Sequence, residues 1–144
     1  MALFLFIIVI DYVMHRTMDK PEYGIVWQQQ NRLTDLDFAD DIAILAEEEN
    51  VCQEMTIKLE EQSAQVGLNI SREKTKVMEI TQRQRPSSKL IAVAQGNIEY
   101  VERFAYLESV ISRDGDVEAD INTRLAKAAA VFRRLDNVWR FKQA

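Results

Sequence analysis

A chain of 144 residues, 47% hydrophobic and 28% charged, is long enough for one compact domain or a piece of a larger one, and too apolar for disorder. Its net charge of −5 argues against nucleic-acid binding through the bulk field, yet the charge is uneven: residues 1–71 carry 4 basic and 13 acidic groups (net −9), residues 72–144 carry 14 and 10 (net +4). A single cysteine, Cys52, and a single histidine, His15, exclude an internal disulfide and a zinc-type cluster, and suggest an intracellular setting, nuclear or cytoplasmic.

The chain opens on nine apolar residues, Ala2 to Ile10, before Asp11. A membrane span needs about 20 such residues, and a secretory signal needs a basic lead and a small-residue cleavage site, which are missing. The run therefore reads as a helix over 2–18, buried nearly all round and ending before Pro21. A chain that begins inside such a helix, with no cap, suggests further sequence upstream. His15 near the helix end reads as a surface residue that complements the helix dipole, and Trp27 and Cys52 read as packing groups.

Two apolar runs, Leu33 to Phe38 and Ile42 to Ala46, then flank Ala39, Asp40 and Asp41. This is the pattern of a β-hairpin with carboxylates at its tip. Such turns normally recruit glycine or asparagine for their positive φ angles, and none is present here. Paired carboxylates repel unless a cation or a proton relieves them, so Asp40 and Asp41 are candidate ligands of a divalent metal.

Asn50 with Gln53 predicts a capping box that opens a helix over 50–66, with Val51, Met55, Leu59, Gln62 and Val66 on one stripe and Gly67 just past its end. Glu47 to Glu49 read as a solvated approach to that helix. The alternation from Lys76 to Ile80 predicts a strand, residues 81–88 a loop, and 89–94 and 97–101 two strands joined at Gly96-Asn97. Phe104 to Ile111 predicts one more strand, closed by Asp114-Gly115. Val117, Ile121, Leu125, Ala128, Phe132, Leu135 and Trp139 alternate steps of four and three, the signature of a core-facing helix. Its Arg124, Lys127, Arg134 and Arg140 lie off the stripe, either solvated or tracking a phosphate backbone.

Taken together, Leu33 to Leu45 around Phe38-Ala39-Asp40-Asp41, Gly67-Leu68-Asn69-Ile70 before Lys74-Thr75-Lys76-Val77-Met78, then Phe104-Ala105-Tyr106-Leu107 and Asp120-Ile121, resemble the reverse transcriptase of non-LTR (LINE-type) retrotransposons. The resemblance implies an α/β (α+β) fold: part of a polymerase palm over residues 1–112, with antiparallel hairpins packed on helices, and the start of a thumb helix over 113–144. It implies an RNA-directed DNA polymerase that joins a deoxynucleoside triphosphate to a primer 3′-hydroxyl on an RNA template, with two Mg2+ ions and no membrane. Asp40 and Asp41 match the metal-binding carboxylates, Lys74 or Lys76 the lysine facing the leaving group, and Phe104 to Ile111 the primer-gripping hairpin, in which Tyr106 and Leu107 would position the primer end. Glu108 stands where the family pattern has glycine. The family's active site also takes an aspartate from an upstream strand, so residues 1–144 are expected to be inactive alone. The alternative is a non-catalytic remnant or an interaction module whose exposed half-palm a protein partner covers. A response-regulator phosphoacceptor pocket fits poorly, because no matching aspartate and lysine order follows Asp41.

Overall fold

The computed structural model describes residues 2–28, 31–80, 90–107 and 109–140. Among the described residues, three helices and ten short strands follow in the order α1 (Ala2–Thr17), β1 (Ile25–Trp27), β2 (Asn31–Leu33), β3 (Asp35–Phe38), β4 (Asp41–Ile44), α2 (Glu49–Gln65), β5 (Lys76–Val77), β6 (Ala92–Val93), β7 (Gly96–Asn97), β8 (Glu99–Tyr100), β9 (Arg103–Tyr106), β10 (Ser109–Ser112) and α3 (Glu118–Arg140). The strands form five two-stranded pairs; β1–β2, β3–β4, β6–β7 and β9–β10 are antiparallel, and β5–β8 is parallel. The expected mixture of helices and small antiparallel sheets is what forms. The chain divides into two compact units, Met1–Val77 with Arg85–Val101, and Met78–Gln84 with Glu102–Ala144.

In the first unit α1 packs on α2 through Ile10, Val13, Met14 and Leu59, with Ile42 and Ile44 of β4 against the same cluster. Burying side chains of this size contributes roughly 1.5–3 kcal/mol each. A second cluster, Ile91, Val93 and Ile98, takes in Cys52 and Val77, and Ile70 touches both. α1 is thus buried on one stripe rather than nearly all round: Phe4 is 73% exposed, and Leu5, Ile8 and Tyr12 are open with it. The buried positions of α1 are 10, 13, 14 and 17, with Phe6 partly buried against the same cluster and Arg16 donating to Gln62 of α2 at 3.0 Å. No described helix is long and apolar enough to cross a membrane.

α2 departs from its expected cap. Its N-cap is Glu48, with no side-chain cap bond. Gln53 serves β6 instead, its Nε2 donating to the Ala92 carbonyl at 2.8 Å and its Oε1 accepting the Ala92 N–H at 2.6 Å. Two turns further on, the Glu60 carboxylate accepts the Ala94 N–H at 2.9 Å. The other end follows expectation: Gly67, at φ 78°, donates to the Ala64 carbonyl, and Leu68 to that of Ser63. Val66, given to the packed stripe, is exposed, and Ser63 is buried in its place.

Further on, the expected strand 76–80 shortens to β5, and the expected loop 81–88 lies outside the described residues. Gly96-Asn97 is a strand, not a turn; Ala94 and Gln95 make the bend. Trp27, expected to pack, is 54% exposed.

In the second unit Phe104 to Ile111 is not the one strand its pattern predicts but folds back on itself as β9–β10, the hairpin that the resemblance implies, with Tyr106 opposite Ser109. α3 forms where the stripe predicts, but the stripe is not core-facing. Val117, Ile121, Leu125, Phe132 and Leu135 are all exposed, because periodicity records an amphipathic face and not what covers it. Among residues 78–80, 102–107, 109–118 and 120–135 of this unit, Ser112 is the buried one.

Candidate functional site

The β3–β4 hairpin pairs Asp35 with Ile44, Leu36 with Ala43, Asp37 with Ile42 and Phe38 with Asp41. Ala39 and Asp40 are therefore the two loop residues, and Asp41 is the first residue of β4 rather than part of the turn. Ala39 sits at φ 57°, and Asp40 is not in the positive-φ region. Positive φ at the first loop position alone is the type II′ pattern, which normally takes glycine. An alanine there costs about 1–2 kcal/mol of backbone strain. Asp40 and Asp41 stand side by side at the apex, both exposed.

Directly opposed residues share a face of the ladder. Ile42 and Ile44 pack on the core, so Asp35 and Asp37 lie on the inner face with them. There, with Asp11, Met14, His15 and Met18 of α1 and its exit, they line an open groove of about 270 Å³. Asp41 lies on the outer face with Leu36 and Phe38, both exposed. Among the described residues, no three His, Cys, Asp or Glu side chains gather to hold a metal. The hairpin offers two hard oxygen donors at an accessible tip.

Sequence reading overlooks what holds the hairpin at its base. Arg32 Nε donates to the Tyr23 carbonyl at 2.7 Å, and its Nη2 to the Gly24 carbonyl at 2.6 Å. The same Nη2 lies 3.3 Å from the Glu47 carboxylate, whose other oxygen accepts the Val26 N–H at 2.9 Å. Glu47, read as solvated, is thus a brace; the Val26 N–H and then Arg32 hold its pKa below the ordinary 4.5. Gly24 forms a bridge to Ala46 at φ 83°, and a Cβ there would lie 2.4 Å from the Leu33 carbonyl oxygen. Tyr23 is fully buried, donating its hydroxyl to Glu54, which also pairs with Lys20.

Lys74 lies in the turn after α2, where its N–H donates to the Ser71 carbonyl; its side chain is exposed and forms no ion pair among the described residues. Lys76, the other candidate, is committed across the parallel β5–β8 pair: its Nζ lies 2.6 Å from Glu99, whose pKa falls in response. Arg72, Glu73, Lys76, Asn97 and Glu99 line an open groove of about 290 Å³.

In the second unit, Tyr106 closes the β9–β10 hairpin and Leu107 is its first loop residue at φ 47°, exposed. Glu108, which replaces the expected glycine, lies outside the described residues. Asp120 of α3 steadies this hairpin, accepting the Val110 N–H at 2.9 Å and the Arg124 Nε at 2.7 Å, while Arg124 also donates to Ser109. Its position in the first turn of a helix was the available signal.

A family profile described as Reverse transcriptase (RNA-dependent DNA polymerase) matches residues 1–107. Neither the curated proteins nor the solved structures give a match to this chain.

Proposed function

The chain belongs to the reverse transcriptase (RNA-dependent DNA polymerase) family, and on that premise we propose that residues 1–112 are the C-terminal part of a non-LTR, LINE-type palm and 113–144 the start of its thumb. The observation that carries this reading is the pair of adjacent carboxylates, Asp40 and Asp41, at the apex of β3–β4 inside the matched stretch. Mg2+ is commonly held by one or two carboxylates, with water and substrate phosphates filling the other positions. Two exposed carboxylate oxygens on a core-backed hairpin fit that requirement in chemistry and in access.

When bound there, Mg2+ would supply positive charge to the primer hydroxyl and to the triphosphate. The chain's own parts divide the remaining work. Asp40 and Asp41 hold and orient, backed by Ile42 and Ile44 on the core. Lys74, exposed and without an ion pair among the described residues, offers its ammonium to a leaving pyrophosphate; the engagement of Lys76 with Glu99 supports this choice between the two lysines. Tyr106 and Leu107, at a tight hairpin end, position a primer terminus. The template is RNA, the primer DNA, and the parent element a retrotransposon. Because no third acid joins Asp40 and Asp41 among the described residues, these 144 residues alone are proposed to be inactive.

Manganese is the direct probe: its paramagnetism should broaden the Asp40 and Asp41 amide signals, and Asp40→Asn with Asp41→Asn should abolish the effect. Unbroadened signals in the wild type would remove the metal assignment. Primer extension on an RNA template with Mg2+ should give no product; product that disappears in Asp40→Asn would overturn the proposed inactivity. A second reading, a non-catalytic interaction module, is favoured only by the open apolar face of α1. Manganese binding at the tip would count against it.

A further inference from the structure

Two things normally fix the register of a hairpin: the chemistry of its turn and the apolar alternation of its strands. In β3–β4 both are adverse. The turn places alanine where glycine or asparagine is wanted. On β3 the acids Asp35 and Asp37 share the inner face with core-packed Ile42 and Ile44, while Leu36 and Phe38 point outward. A slip of one residue would turn Leu36 and Phe38 to the core and free both aspartates to water. The observed register therefore needs another determinant.

It stands at the open end of the hairpin. Arg32 precedes β3 by three residues and Glu47 follows β4 by three. The Arg32 guanidinium joins the Tyr23 and Gly24 carbonyls to Glu47, and Glu47 takes the Val26 N–H. Leu45 donates to the Thr34 carbonyl at 2.8 Å, and Gly24 bridges Ala46 with no room for a side chain against Leu33. We propose that Arg32 is a positioning residue for the acidic tip: with Glu47 and Gly24 it locks the chain entering β3 to the chain leaving β4. The lock sets the face on which Asp41 stands. Its importance for metal binding rests on the reading above; the lock itself does not.

Residue-resolved amide exchange on the metal-free 144-residue chain tests it. The Leu45 to Thr34 bond sets the phase of the ladder, so the Ala43 and Asp41 amides face β3 while those of Ile42 and Ile44 face away. In Arg32→Gln, protection at Ala43 and Leu45 should fall about tenfold relative to Met55 of α2, the scale of a lost charge-assisted bond. Arg32→Lys keeps the charge but loses the fork, and should not restore it. Glu47→Gln should show a smaller loss, and decides the matter if Arg32→Gln does not fold. Glu60→Gln, which removes the charge from another carboxylate that accepts a backbone amide, that of Ala94, should leave the hairpin unchanged. Wild-type protection at Ala43 and Leu45 in the foldable Arg32 and Glu47 variants overturns the lock. Manganese broadening is read separately, so failure of the metal reading and failure of the lock give different results.

Discussion

The β3–β4 and β9–β10 hairpins are built alike at their tips and differently at their roots. Each turns, directly after its first strand, through a non-glycine residue at positive φ, Ala39 or Leu107. Each carries residues assigned to the proposed site. Yet β3–β4 rests its inner face on a hydrophobic cluster and is bolted at the base by Arg32, whereas β9–β10 is steadied by polar bonds from Asp120 and Arg124, its own Phe104, Val110 and Ile111 all left at least partly exposed. Similar strain at a tip is sustained by packing in one case and by hydrogen bonds in the other. The first hairpin should be stiff and the second readily opened.

The largest test of that contrast lies in the core. Met55→Ala, at a fully buried position, should cost about 2–5 kcal/mol in urea unfolding, while Phe132→Ala on α3, 71% exposed, should stay within about 0.5 kcal/mol. Equal losses would end the distinction. Gly24→Ala should follow, costing more than about 1 kcal/mol because it meets both an adverse φ and the Leu33 carbonyl; thermal unfolding measures it.

Acid should separate the hairpins by their braces. Glu47 and Asp120 both have native pKa values below their ordinary 4.5 and 3.8. A lowered native pKa gives stabilisation that is complete above the ordinary value and lost as pH falls through the native one. Exchange protection at Leu45 should therefore weaken only below about pH 4.5, and at Val110 only below about pH 3.8. The smallest effect is Ala39→Gly, which should raise stability by up to about 1 kcal/mol by relieving strain, less the entropy that glycine loses on folding. A destabilising Ala39→Gly would show that the alanine is not strained. Cys52 offers a side check: burial pushes its thiol pKa up, so iodoacetamide should label it slowly at neutral pH.

What could be read in advance follows from the range of each interaction. The acidic tip was legible because Asp40-Asp41 and its flanking runs are contiguous, and Gly67 was legible because a helix end is a local event. Arg32 and Glu47 were not, since their partnership spans fifteen positions with no period to betray it. Gln53 had the right spacing for a cap and found a better partner in Ala92. The stripe on α3 was legible as a pattern, but burial depends on a neighbour that the pattern does not name. Tyr106 and Leu107 fell in what reads as one strand, because the turn lacks the glycine that would announce it.

Gln53 and Glu60 have one more implication. Both the donor and the acceptor of Ala92, and the donor of Ala94, are taken by side chains reaching down from α2. Short sheets with bare margins are templates on which other chains can extend. Here a helix imitates the missing neighbour strand, two turns of it matching Ala92 of β6 and Ala94 of the bend that follows. A foreign strand arriving at that margin would have to displace an amide and a carboxylate to gain a foothold, so β6 is protected against intermolecular growth without a proline, a bulge or a lysine of its own.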